Sequence, residues 1–494
     1  MKTRPHRSSR LLVPALAFLV ALATAPASAQ PTPKPAGEPS APALPNTPSG
    51  MCVAAYIAAF NSADPQAVRD FFAAYTAPAA LERASVERRV ERTRGLQGEL
   101  QSLQLRQVVE AGEAAVTVLL VARTGDWVEL AFQFEPAPPH KLVGIRVDHV
   151  EPPGDSAGPS PANDGELAKA IEAYVAGLVQ ADEFSGVVLV ARGDTPIFLR
   201  AYGLADRGFG TPNRPDTRFN LGSINKLFTT IAVGQLLEQG KVSLGDTIGR
   251  FLPDYPNREA MATVTVKHLL EMTSGIGDFF GERFEATPKD RVRTIRDYLP
   301  LFADKPLEFK PGTQTRYSNG GYVVLGVIIE KASGQDYYAY VREHLFKPLG
   351  MASTDSYEAD ASVPNLAMGY TRPGPSEPRR SNIYTRPARG SSAGGGYSTA
   401  EDMLRFGLAL QRGALLKPET VRAVFGEMWP AAPSKELLEG RISGGWTGGA
   451  PGINAALETD ARAGTTIVVL ANLDPPAAGR VAKKIRPWLE RPAR

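Results

Sequence analysis

One stretch constrains this chain more than any other: FNLGSINKLFTTIAVGQLLEQG, residues 219–240. Ser223 and Lys226 stand three apart where an apolar helical period begins. Leu227, Phe228, Ile231, Ala232 and Leu236 carry that period on, and Gly240 is the expected stop. Residues three apart share a helix face, so the lysine amine can reach the serine hydroxyl within one turn. A serine hydroxyl is a weak nucleophile unless a base stands beside it. The rest of the chain is therefore read for what completes a site around Ser223.

Composition bounds the alternatives. With 494 residues there is room for two or three domains, and 43% apolar and 22% charged residues are ordinary for a globular protein. A single cysteine, Cys52, rules out an internal disulfide framework. The five histidines are scattered, and no HExxH or CxxC appears, so no metal or other cofactor is expected. The formal charge is +3, but Lys2, Arg4, Arg7 and Arg10 lie in the first 29 residues, which hold no acid. Removing those four charges leaves −1, so the basic balance gives no argument for nucleic acid.

Residues 1–29 have the three parts of a secretory signal: a basic start, an apolar run over 11–25, and Ala27-Ser28-Ala29 as a cleavage site. A membrane anchor is disfavoured, since the run falls short of about 20 residues and Pro14 interrupts it. After cleavage no membrane association is expected, and the location is periplasmic or secreted. Residues 30–50 form a proline-rich tether.

Residues 51–151 read as a small α+β domain. Helical periods over 51–61 and 65–75 are followed by a charged helix over 80–93 with arginines at 83, 88, 89, 92 and 94 nearby. Strands are expected over 103–110, 114–123, 127–135 and 142–150, with Gly125-Asp126 as a hairpin turn. Helices followed by a meander, and the segment PAPPHKLVGIRV, resemble the NTF2-like family. That resemblance implies an accessory domain, with His140 and His149 in packing or surface roles. Residues 152–164 form a second linker.

From residue 165 to 494 a larger domain is expected. A helix over 166–181 precedes a hairpin of strands 185–191 and 196–202. A second hairpin, 453–458 with 465–471, and a helix over 477–490 close the chain. A helix is expected over 322–333, and Ser398 to Glu401 reads as a capping box before a helix over 402–411. Hairpins at both ends with helices between imply one antiparallel sheet flanked by helices.

A lone S-x-x-K carries little weight, and its company is what matters. Tyr317-Ser318-Asn319 follows about 90 residues on, and Trp446-Thr447-Gly448 about 130 beyond that. In order and context these motifs resemble the serine β-lactamase and penicillin-binding-protein superfamily. The nearest likeness is to the β-lactamase-related serine hydrolases, namely class C β-lactamases, D-peptidases and family VIII esterases. Segments such as KVSLGDTIGRFLPDYP, VTVKHLLEMTSGI, YSNGGYVVLGVIIEKASG and SAGGGYSTAEDMLRF extend the likeness over residues 165–494. The resemblance implies a β-lactamase/transpeptidase-like fold. It casts Ser223 as nucleophile, Lys226 as its base, Tyr317 as the proton shuttle and Asn319 as an orienting group. Backbone N–H groups of Ser223 and Gly449 would form the oxyanion hole, and Trp446, Thr447 and Gly448 would meet substrate.

The chain departs from the family pattern at two places. Trp446 stands where a cation is frequent, and Met272 where a second histidine is frequent. His268, in the KHLL segment, reads as structural, and Asn225 either bonds within the pocket or faces solvent. Ser223 does not lie in a GxSxG elbow and has no histidine near it in sequence, which disfavours a Ser-His-Asp hydrolase. The expected function is an exported serine hydrolase acting on esters or D-amino-acyl amides. Esters are favoured because Trp446 offers an apolar wall in place of a cation. An arginine at 379, 380, 386 or 389 is the alternative source of that cation. The competing readings are a D-peptidase or β-lactamase, or an inactive cell-wall- or peptide-binding protein with the same fold.

Overall fold

A computed structural model describes residues 44–490, apart from 63, 84, 124–126, 151–160, 374–376, 426–436 and 438. The expected leader, most of the tether, the Gly125-Asp126 turn and most of the second linker lie outside the described residues. Among the described residues, no helix is long and apolar enough to cross a membrane.

The first part of the chain opens with helices α1 (Pro48–Asn61), α2 (Pro65–Tyr75), α3 (Pro78–Arg83) and α4 (Val86–Leu100). Helix α1 starts inside the expected tether, because Thr47 accepts a hydrogen bond from the Gly50 N–H and caps it. The helix expected over 80–93 is two helices, and the second begins where the Ser85 side chain caps the Arg88 N–H. Strands β1 (Leu103–Ala111), β2 (Ala115–Ala122), β3 (Trp127–Phe134) and β4 (Leu142–Val150) pair in order as an antiparallel meander. Val118, Leu120, Leu130 and Phe132 point from the sheet into one apolar cluster with Val53, Tyr56 and Phe72 of the helices. His140 is buried in the β3–β4 turn, with its ring against the Glu135 carbonyl oxygen.

The larger part is organised by a five-stranded antiparallel sheet. Helix α5 (Asp164–Gln180) leads into β5 (Gly186–Arg192) and β6 (Thr195–Tyr202). The central helices include α6 (Asn225–Glu238), α7 (Asn319–Ser333) and α8 (Ala400–Gln411). The chain then returns with β7 (Gly444–Ala450), β8 (Ile453–Asp460), β9 (Thr465–Ala471) and α9 (Ala477–Glu490). Strand order is β7-β8-β9-β5-β6, so the first and last hairpins meet along β9 and β5.

Both faces of this sheet are covered. Val187, Leu189, Val468 and Leu470 face the cluster that includes α6, α7 and α8. The alternate residues Val188, Val190, Ile467 and Val469 pack against α5 and α9. Strands buried on both faces read as continuous apolar runs rather than as alternation. Two expected starts shift. Helix α7 begins at Asn319 rather than 322, and the cap of α8 is Thr399, which accepts from the Asp402 N–H, rather than Ser398. Ser398 instead lies in a short strand paired with Phe219.

Candidate active site

Ser223 sits in the turn just before α6. Gly222 takes φ +51°, and the edge strand β7 presses against this turn. A Cβ on Gly448 would lie 1.9 Å from the Leu221 carbonyl oxygen and 2.7 Å from the Ser223 nitrogen. A Cβ on Gly222 would lie 2.8 Å from the Gly449 nitrogen. Only a glycine pair allows this approach, which brings the backbone around Ser223 and Gly449 together. Gly240, with φ +68°, lies just past the end of α6, where the sequence put its stop.

Lys226 lies one turn on and is 2% exposed. Its amine donates to Asn319 Oδ1 at 2.7 Å and to the Ala393 carbonyl oxygen at 2.6 Å, and lies 3.3 Å from Ser223 Oγ. The two short contacts go to atoms that can only accept. The longer one goes to a hydroxyl, which can reverse its role. A neutral amine can therefore keep both short bonds and turn its lone pair toward the Ser223 proton. Burial lowers the Lys226 pKa to about 7, although the Asp278 carboxylate opposes the shift. A lysine near pH 7 suits a general base.

From the other side the Tyr317 hydroxyl donates to Ser223 Oγ at 2.6 Å. Desolvation raises the Tyr317 pKa, the Ser223 hydrogen bond partly offsets this, and Asp278 adds to it. Tyr317 is thus a proton donor at neutral pH, while Lys226 is the group that can accept. The lysine amine also lies 4.6 Å from the Tyr317 ring centroid.

Asn319 is the first residue of α7, whose cap is Ser318. Its Nδ2 donates to Asp278 Oδ2 at 2.6 Å. An ammonium that only donates and a carboxylate that only accepts fix which way this amide points. Asp278 escaped the sequence reading, since a lone acid in SGIGDFFG carries no periodic signal. The Gly-rich loop at 391–397 has a role that its composition does not signal. Asn225, Thr229 and Lys226 of the helix hold the carbonyl oxygens of Ser391, Ser392 and Ala393. Asn225 is therefore buried and bonded, not solvent-facing.

A cavity of about 440 Å³ opens above Ser223. Thr447 and Gly449 line it, with Phe279, Phe280, Tyr298 and Tyr357 as aromatic walls and Arg386 at one side. Trp446 does not line it. Neighbours on a strand face opposite sides, so with Thr447 outward Trp446 turns into the core, where it is 5% exposed. The expected apolar wall at Trp446 is thus corrected: other rings supply the wall. Gly448 packs beneath the Ser223 turn instead of facing the cavity. Of the four arginines considered as a replacement cation, Arg386 lines the cavity, and its guanidinium donates to the Tyr397 hydroxyl at 2.8 Å. Arg379 is tied to Asp182. Met272, buried at φ +58°, accepts the Ser318 N–H on its sulfur, and His268 caps its own short helix at Thr265.

Comparison with known proteins agrees with this geometry. The Beta-lactamase family model matches residues 167–489. The chain is 31% identical over 300 residues to PbpX of Bacillus subtilis, named as a penicillin-binding protein, covering 58% of this chain and 70% of that one. It is 31% identical over 268 residues to Esterase EstB of Burkholderia gladioli, covering 48% of this chain and 67% of that one. The crystal structure of a penicillin binding protein from Bacillus halodurans superposes with a TM-score of 0.56 at 32% identity, covering 63% of this chain and 98% of that one. An antiparallel sheet flanked by helices, a serine with a lysine one turn on, and these matches have one meaning: the chain belongs to the beta-lactamase family and is a β-lactamase-related serine hydrolase.

Proposed function

We propose that this protein hydrolyses carboxylic esters through an acyl-enzyme on Ser223, outside the cytoplasm. The observation that carries the reading is Ser223 Oγ held between the Lys226 amine and the Tyr317 hydroxyl, with Lys226 near pKa 7. Neutral Lys226 takes the Ser223 proton as Oγ attacks the acyl carbon. The oxyanion that forms meets the backbone N–H groups of Ser223 and Gly449. Tyr317 gives its proton to the leaving alkoxide as the bond to the acyl carbon breaks, and is reprotonated through Lys226. Water then attacks the acyl-enzyme, loses a proton to the same pair, and frees the acid and Ser223. Asn319 keeps the lysine aimed.

The aromatic walls Phe279, Phe280, Tyr298 and Tyr357 support an acyl or aryl ester. So does the likeness to a protein named as an esterase. Arg386 supports a second reading. It puts a cation in the cavity where a D-amino-acyl amide or peptide could place its carboxylate. The leader composition of residues 1–29 supports export.

A fluorophosphonate probe followed by peptide mapping tests the acyl-enzyme, alongside hydrolysis of p-nitrophenyl butyrate, nitrocefin and D-Ala peptides. Labelling on Ser223, lost in Ser223→Ala together with turnover, is the expected result. Labelling elsewhere, or a folded protein that turns over none of these substrates, would favour a binding protein. Faster turnover of D-Ala peptides than of the ester would promote the Arg386 reading.

A further inference from the structure

A second cavity, of about 460 Å³, lies where the first part of the chain meets the segment leading into Tyr317. It shares no residue with the Ser223 cavity. Four arginines line it: Arg88, Arg89 and Arg92 from α4, and Arg316. Its floor is apolar, with Tyr56, Phe72, Leu96, Ile145 and Val147. Tyr56 and Phe72 stand edge to face at 6.3 Å. We propose that this cavity binds a small amphiphilic anion, with its carboxylate or phosphate head on the arginines and its apolar body on the Tyr56–Phe72 floor.

The charge arrangement is the first argument. Arg88 and Arg92 are four apart and Arg89 and Arg92 three apart, so one helix face carries all three. Like charges at these spacings destabilise a helix by about 0.2–0.5 kcal/mol per pair. Arg89 is used locally, since it donates to the Ala80 carbonyl oxygen at 2.7 Å and lies over the Phe72 ring. Arg88 and Arg92 have no ion-pair partner among the described residues. Arg316 is held by Glu308 at 2.9 Å and, more loosely, by Glu91 at 3.8 Å. Glu91 is the one acid in the lining, against four cations. A helix face that repels itself around a concave site is a cost to folding that a bound anion removes.

The second argument is shape. Arginine forks bind carboxylates and phosphates in pairs of parallel hydrogen bonds. Inorganic anions alone need no apolar floor, and apolar ligands alone need no arginines. The volume falls in the range that encloses a drug-sized molecule. This inference stands whether or not Ser223 turns over esters.

Calorimetric titration of the full chain in the Ser223→Ala background tests it, using decanoate and decyl phosphate below their micelle concentrations. Inorganic phosphate and decanol are the arms lacking tail and head. Binding of either amphiphile at least tenfold tighter than both fragments is expected, weakening as salt rises. Which head binds better identifies the source as a carboxylate or a phosphate ester. Arg88→Gln with Arg92→Gln should weaken binding at least tenfold, and loss of self-repulsion should leave the melting temperature unchanged or higher. Wild-type protein capped on Ser223 by a fluorophosphonate should bind as the uncapped Ser223→Ala protein does. Equal binding by the double variant, binding abolished by the cap, or a fragment binding as tightly as the amphiphile would each overturn the proposal.

Discussion

Below Ser223, Lys226 is 2% exposed and its amine meets three acceptors; above it, Tyr317 is 56% exposed, and Phe280 and Arg386 stand on irregular segments. The floor is built from two helices and a tight loop, α6, α7 and 391–397, locked by backbone carbonyls. The rim is drawn from chain segments far apart in sequence: 279–280, 357, 386, 447, 449–451 and 453. In the proposed mechanism the floor would tune one proton, a task that needs low dielectric and fixed distances. The rim would select what enters, and exposed loops can vary without disturbing the floor. Chemistry and specificity are thus separable here, and substitutions can test that division.

The largest effect should come from the floor. Lys226→Met removes the group beside Ser223 whose pKa is lowered to about 7. Residues that act as a unit fail together, so kcat for p-nitrophenyl butyrate should fall by at least about a thousandfold. Turnover above a tenth of wild type would hand the base role to Tyr317.

Asp278 gives a finer test of the same floor. It faces Asn319, and its charge favours protonated Lys226. The base must be neutral, so activity should rise with pH through about 7. Asp278→Asn keeps an acceptor for the Asn319 amide but removes the charge. The Lys226 pKa then falls further, and the acid limb of the kcat/KM profile should move to lower pH by about half to one unit. A purely structural role would lower the rate at every pH and leave the limb in place.

How much of this was legible in the sequence follows the same division. Ser223, Lys226, Tyr317 and Asn319 are spaced by helix geometry and by short motifs, and the structure brings their side chains together. Strands β3, β4 and β9 and helices α2 and α9 appear within a residue of expectation, because alternation, capping and apolar runs are local signals. Asp278 and the aromatic walls were illegible for the opposite reason. Their placement depends on long-range packing of irregular segments, such as Gly320 against the Gly277 carbonyl oxygen. Trp446 was misread because a motif position says which residue is present, not which face of the strand it takes.

Arg386 is the rim residue whose removal should matter most for selectivity. Its guanidinium is half-buried and also serves the Tyr397 hydroxyl, so a substrate carboxylate would share it. Arg386→Gln should lower kcat/KM for a carboxylate-bearing D-Ala peptide by about three- to tenfold, and leave p-nitrophenyl butyrate within about twofold. Equal losses on both substrates would mean that Arg386 supports the wall rather than reading charge.

The smallest effect on selectivity should come from Trp446, although its neighbour Thr447 lines the cavity. A ring 5% exposed and packed in the core cannot meet substrate without the strand turning over. Turning β7 would break its register with β8 and move Gly448 off the Ser223 turn, where nothing larger than glycine fits. Trp446→Phe keeps an aromatic group in the core and leaves a small void. It should lower the melting temperature, at a cost of about 1–3 kcal/mol, and leave the ratio of ester to nitrocefin turnover within about twofold. Trp446→Lys would bury a charge and is expected to impair folding rather than to recruit β-lactams. If the Phe variant instead shifted the ratio tenfold at unchanged stability, Trp446 would belong to the rim, and the separation of floor from rim would fail at β7.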